Sequence, residues 1–224
     1  MGATLRLLAV APLMAVVGFA SYQAVRYGVS GTASGNAMRE LSHVARADGV
    51  TGAGSWWEGD LNRAAREVPM DPALRELQAV ATMRDTSEPA SLGEAQRNLV
   101  AAIEARPGSG YTWANLAEVK YKLGDTGPAF EKALVNAVAL APFEPEVQRT
   151  VVNYGLAVMN EVAPATRAAI ERAVAAGMKR NAPETLQIAA RRGRLDAACR
   201  HLDGVPRPAA SKWTQLCQSM EATS

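Results

Sequence analysis

Two histidines and two cysteines in 224 residues cannot supply a four-ligand zinc finger of the usual pattern or a thiolate-bound iron–sulfur centre. Aromatic residues are only 5% of the chain, which leaves little to cover β-sheets. An excess of one charge is missing too. A formal net charge of +2 is too near neutrality for a general nucleic-acid binder, and no homeodomain, zinc-finger or RNA-recognition pattern occurs. There is no Gly-x-Ser-x-Gly, no Walker loop and no His-Glu-x-x-His, so much catalytic chemistry is excluded and neither a cofactor nor a metal is expected. What is abundant is alanine, about a fifth of the residues, within a chain that is 48% hydrophobic and 21% charged. That balance predicts one helical body, packed closely through small side chains, with an appendage.

Formal charge is absent from Leu7 through Val25, between Arg6 and Arg26. As a helix this stretch spans roughly 28 Å, close to a bilayer core, with Pro12 in its first third and Tyr22 and Tyr27 placed as interfacial anchors. A transmembrane anchor over residues 1–26 is therefore expected. The competing reading is a cleaved signal peptide, with Gly18-Phe19-Ala20 as the processing site. Either reading sends the body out of the cytoplasm, although Arg6 and Arg26 oppose each other and orientation rests on the shortness of the leading segment. Cys199 and Cys217 suit an oxidising compartment, where a disulfide closing that loop contributes about 3 kcal/mol. Two buried free thiols are the alternative.

Residues 27–36, rich in Gly and Ser, read as a flexible spacer, residues 37–204 as the helical body and 205–224 as a tail. Met38, Leu41 and Val44 recur at helical spacing before the Gly-rich break at 49–55. Trp56 to Val68 is a second helical stretch stopped by Pro69, and Asp71-Pro72 has the form of an N-cap opening a third through Met83. Ala95, Leu99, Ala102 and Pro107 then resemble the second helix of a tetratricopeptide repeat, followed by Trp113, Leu116 and the Leu123-Gly124-Asp125 turn. Ala129 stands 34 residues after Ala95, which predicts a helix crossing at Ala129, while Pro107 and Pro142 are 35 apart. Helices are expected over Pro145 to Val162, from Pro164, from Pro183 to Gly193 and over Leu195 to Leu202. The fold class is all-α: an α-solenoid of divergent tetratricopeptide-like hairpins behind an N-terminal transmembrane helix.

Arg106 to Asp125, Leu140 to Gln148, Tyr154-Gly155-Leu156 and Ala189 to Cys199 resemble a group of tetratricopeptide-like, single-pass bacterial proteins of exopolysaccharide and O-antigen biosynthesis. The resemblance implies a role in polysaccharide polymerisation, ligation or export at the inner membrane, with the soluble domain in the periplasm. It also implies a protein partner such as an O-antigen ligase-like membrane enzyme, and it carries over no catalytic residue.

The expected activity is a non-catalytic adaptor whose groove is formed by Tyr111, Trp113, Asn115, Lys120 and Tyr121. A divergent glycan-cleaving or glycan-transferring enzyme is the alternative, since such chemistry needs paired carboxylates. Glu118, Asp125, Glu131, Glu144 and Glu146 are candidates, but no pair stands out, and Glu131 beside Lys132 reads as a solvated face. Asp196 and His201 alone make no triad. From Arg167 to Lys212, ten Lys or Arg face four Asp or Glu, an excess of +6. Arg191, Arg192 and Arg194 are its densest part, suited to an acidic glycan or lipid or, more simply, to favourable charge at a helix C-terminus. Trp56 and Trp57 could stack on sugars or pack a helical pair.

Overall fold

A computed structural model describes residues 14, 16–25, 27–28, 31–32, 56–69, 71–85, 88–205, 214–215 and 217. The protein is all-α, with no strand among the described residues. Two compact units divide it, residues 1–81 and 82–224, a division that falls inside the 37–204 stretch.

In the first unit, residues 16–25 are helical. Residues 7–13 and 15 of the expected anchor, and the helix expected around Met38, lie outside the described residues. Among the described residues no helix is long and apolar enough to cross a membrane. Helix α1 (Trp56–Glu67) buries Leu61 and Ala64, and with Val68 they meet Leu74 and Leu77 of α2 (Pro72–Asp85) in one apolar cluster. The cap on α2 is the expected one: Asp71 Oδ1 accepts from the amides of Ala73 and Leu74 at 2.9 and 3.4 Å. The side chains of Trp56 and Trp57 lie outside the described residues.

The second unit contains α3 (Pro89–Ala105), α4 (Gly110–Lys122), α5 (Pro128–Leu140), α6 (Pro145–Ala157), α7 (Pro164–Arg191) and the short α8 (Leu195–Cys199). Prolines open α3, α5, α6 and α7, where a missing N–H costs nothing and the fixed φ favours the first turn. From α3 to α7, consecutive helices pack on each other. The pairs α4 with α6 and α5 with α7 pack as well.

Burial sets the period. Leu99, Ala102 and Ile103 of α3 are buried as Leu134, Ala137 and Val138 are in α5, 35 residues later. Ala95 therefore corresponds to Phe130, and the small residues buried on α5 are Ala133 and Ala137. The crossing expected at Ala129 is corrected, because that residue is exposed. In α7 the equivalent set is Ile170, Ala173 and Val174, 36 residues on, since the turn 158–163 is one residue longer than the turn 123–127.

Two turns share one chemistry. Gly124, at φ 74°, ends α4, with its N–H donating to Tyr121 O and that of Asp125 to Lys120 O. Gly193, at φ 65°, ends α7 in the same way, with Gly193 N–H on Ala190 O and Arg194 N–H on Ala189 O. Both are Schellman caps, which need the left-handed conformation that glycine adopts without a Cβ clash.

Helix α7 is two helical segments that meet at Asn181, whose backbone leaves the helical region at φ −148°, ψ 74°. Asn181 caps the second half, accepting from the amide of Glu184 at 3.4 Å just after Pro183. The separate helix expected from Pro183 is the second half of α7, set off from the first by the break at Asn181. The helix expected to reach Val162 instead stops at Ala157, and the one expected over Leu195 to Leu202 is α8 followed by a single 3-10 turn, Leu202–Gly204.

Candidate functional site

Helix α4, helix α6 and the second half of α7 lie side by side with their N-termini at one end. At that end the Tyr111 hydroxyl donates to Glu144 Oε2 at 2.5 Å, and Arg149 meets Glu184 at 3.4 Å. At the other end, Tyr121 of α4 stacks at a tilt on Tyr154 of α6, their ring centroids 5.0 Å apart, and Tyr121 also lies 6.4 Å from Phe130. Above both tyrosines sits Arg192, its guanidinium carbon 5.5 and 5.7 Å from the two rings and its Nε donating to Asn153 Oδ1 at 3.0 Å. Glu118, one turn before Lys122 and paired with it at 2.9 Å, faces the Tyr154 hydroxyl. Burial, then the Glu118 carboxylate, pushes the Tyr154 phenol well above its ordinary range, against the opposing pull of Arg192 and Asn153. Three helices side by side thus build one partly buried aromatic and basic cluster.

The groove residues expected from the sequence are distributed along α4. Tyr111 is exposed at the head of the helix, and its bond to Glu144, with burial and the Glu144 charge adding to it, pushes its phenol up to about 12. Half-buried Trp113 donates its indole N–H to Pro107 O at 2.8 Å, tying α4 to the preceding turn, with Lys132 Nζ 5.9 Å from the ring. Asn115 is half-buried. Lys120 is only 6% exposed, and its ammonium reaches Asp125 Oδ2 at 2.6 Å, which places it in the turn and out of reach of a partner. That hydrogen bond holds the Asp125 carboxyl below the usual carboxylate range. Tyr121 alone of the five enters the cluster.

The basic triplet also separates. Arg191 is exposed, Arg192 forms the lid on the tyrosines, and Arg194 donates to Asn160 Oδ1 at 2.5 Å. Beyond it the Cys199 and Cys217 sulfurs are bonded, their Cα atoms 5.7 Å apart, which holds residue 217 against the body. Beside this link, Glu171 of α7 accepts from Arg200 at 2.7 Å and lies 3.1 Å from His201 Nε2, with Asp196 completing the group at 3.0 Å from Arg200.

Each candidate carboxylate has a structural occupation. Glu131 is not a solvated surface acid: its Oε2 accepts from Ala163 N at 2.9 Å and Thr166 Oγ1 at 2.6 Å, capping the start of α7. Glu146 pairs with Arg149, and Asp125, Glu144 and Glu118 with Lys120, Tyr111 and Lys122. Among the described residues no group of His, Cys, Asp or Glu could hold a metal ion.

Sequence reasoning missed Tyr154, Asn153 and Gln148. Tyr154 reads as one more apolar position of α6, whereas the 35-residue period places Asn153 level with Glu118 and Gln148 level with Trp113. Compared with known proteins, the chain matches no family model, no curated protein and no solved structure.

Proposed function

We propose that the chain is a non-catalytic adaptor, an α-solenoid of divergent tetratricopeptide-like hairpins tethered to the bacterial inner membrane through residues 7–25. Its periplasmic body holds a protein of a surface-polysaccharide assembly complex, an O-antigen ligase-like enzyme being the partner the resemblance implies. The observation that carries the reading is the cluster of Tyr121, Tyr154 and Arg192. Aromatic side chains and arginine are the residues that anchor protein–protein contacts, and here three parallel helices gather them into one place. The structural occupation of all five candidate carboxylates supports an adaptor over a glycosidase, which needs two carboxyl groups facing one bond.

The test uses the full-length protein in its native membrane, with a photo-reactive side chain replacing Tyr111 at the exposed head of α4. The expected result is a cross-link to a membrane enzyme of polysaccharide assembly that is lost on Arg192→Ala. Shortening of the cognate polysaccharide by the purified full chain, abolished by substituting a single carboxylate, overturns the reading.

A further inference from the structure

Four large apolar side chains of the second unit are exposed among the described residues, and three of them, Tyr111, Leu140 and Phe143, gather around the turn 141–144 between α5 and α6. Phe143 is 79% exposed, and Pro142 beside it is exposed as well. The turn is not loose. Tyr111 of α4 donates to Glu144, Gln148 Nε2 of α6 to Pro142 O and Arg180 of α7 to Phe143 O, while Glu144 N–H closes the turn on Ala141 O at 3.3 Å. Three helices thus hold in place a ring that lies outside the core. An aromatic side chain presented from a fixed turn meets a partner with little left to order.

The charges around the turn distinguish between partners. By the 35- and 36-residue spacings Phe143 is level with Gly108 and Lys179, so the turns that precede α4 and the second half of α7 lie on the same edge. Gly110 approaches Ala141 too closely for a Cβ, and Arg180 reaches Phe143 O, which ties both neighbouring turns to this one. They expose Arg106, Lys179 and Arg180. Of the acids on this edge, Glu144 is engaged by Tyr111, and Glu146 and Glu184 by Arg149, which leaves exposed Glu104. Behind the turns stand the N-termini of α4, α6 and the second half of α7, the positive ends of three helix dipoles. An apolar tip flanked by cations matches the boundary between acyl chains and phosphates in an anionic bilayer, where an amphipathic surface seats its aromatic and aliphatic side chains below the basic ones. A pocket in a protein would receive the ring but gives no reason for cations on either side of it.

We propose that the turn 141–144 docks the second unit onto an anionic membrane surface, with Phe143, Pro142 and Leu140 entering the headgroup layer and Lys179 and Arg180 on the lipid phosphates. Arg180 retains donors for this beyond the one engaged at Phe143 O. Docking here rests on the membrane tether of the adaptor reading and adds a second contact to it. A segment of the same chain held in the bilayer raises the effective concentration of that surface, so a tip contact too weak to act alone is sufficient.

The test reconstitutes the full chain into vesicles of phosphatidylcholine with about a quarter phosphatidylglycerol. A photo-reactive phenylalanine analogue replaces Phe143 or, as the control, exposed Glu161 in the turn after α6, at the opposite end. After irradiation, mass spectrometry of the digested protein is expected to find lipid adducts at residue 143 and no more than a trace at residue 161. Lys179→Glu, or omission of phosphatidylglycerol, should lower the yield at residue 143 about fivefold, the attraction of one basic residue near a charged surface. Absence of the adduct, equal adducts at both positions, or a yield indifferent to lipid charge overturns the proposal, as does a cross-link from residue 143 to a protein instead of lipid in the native membrane. Carbonate extraction tests the tether separately. A chain that stays in the membrane without an adduct at residue 143 loses only the docking tip; a chain released by carbonate loses the tether, and the adduct at residue 143 still decides the tip.

Discussion

One substitution, Gly to Ala, should have opposite signs at two helical positions of the second unit. At Gly110 a Cβ would sit 2.4 Å from Ala141 Cβ, 3.1 Å from Ala141 N and 3.3 Å from Ala137 O. None of those atoms can rotate away. Carbon atoms rest at roughly 3.5 to 4.0 Å, so α4 and α5 would have to part by about 1 Å, forfeiting a quarter to a half of the dispersion energy across their contact. Overpacking of this kind costs about 1–3 kcal/mol, and the gain in helix propensity from Ala is at most about 1 kcal/mol. At Gly93 in α3 the added Cβ meets only the flexible end of Arg97, at 3.8 Å. There the propensity gain stands nearly alone.

Thermal unfolding of the full chain, followed by its far-ultraviolet helix signal, should show Gly110→Ala lowered by about 4–8 °C and Gly93→Ala raised by about 2–4 °C. Gly155 supplies an internal check. Its Cβ would lie 2.7 to 3.2 Å from three carbons of the buried Ile170, so Gly155→Ala and Ile170→Ala together should cost less than the sum of the two. A Gly110→Ala protein as stable as the parent, a Gly93→Ala protein less stable than Gly110→Ala, or strict additivity at Gly155 and Ile170 would refute the packing argument.

Ultraviolet titration should find one tyrosine released from about 12 towards 10 by Glu144→Gln; because folding raises the Tyr111 pKa, its contribution to stability is complete below pH 10 and lost between pH 10 and about 12. Glu131→Ala, which uncaps Ala163 N and Thr166 Oγ1, should lower stability by about 1–2 kcal/mol in denaturant titration, and an unchanged midpoint would count against the cap. Reduction, or Cys199→Ser with Cys217→Ser, should remove about 3 kcal/mol, the entropy of a loop of 18 residues, and expose residue 217 to proteolysis. Arg192→Ala should weaken partner capture and lower the melting temperature together, because its guanidinium packs on Tyr121 and Tyr154, whereas exposed Arg191→Ala should leave both nearly unchanged.

The parts of the fold that were legible in the sequence are those governed by backbone chemistry. Asp71-Pro72, Gly124, Pro145, Pro164 and Gly193 mark their helix ends because capping and the left-handed turn depend on one or two neighbouring residues. Register across helices is a different matter. Alanine is about a fifth of the chain, so a match from Ala95 to Ala129 costs little and fell one residue from the packed period, whereas the rarer pair Pro107 and Pro142 carried the true 35. Charge gave the least reliable guidance. Lys120, Glu131 and Arg192 read alike as solvated ions or open contacts, yet one is buried on a turn, one caps a helix 32 residues away and one covers two rings from other helices. Long polar side chains reach partners set by tertiary contacts, and a candidate site made of them becomes visible only when α4, α6 and the end of α7 are laid side by side.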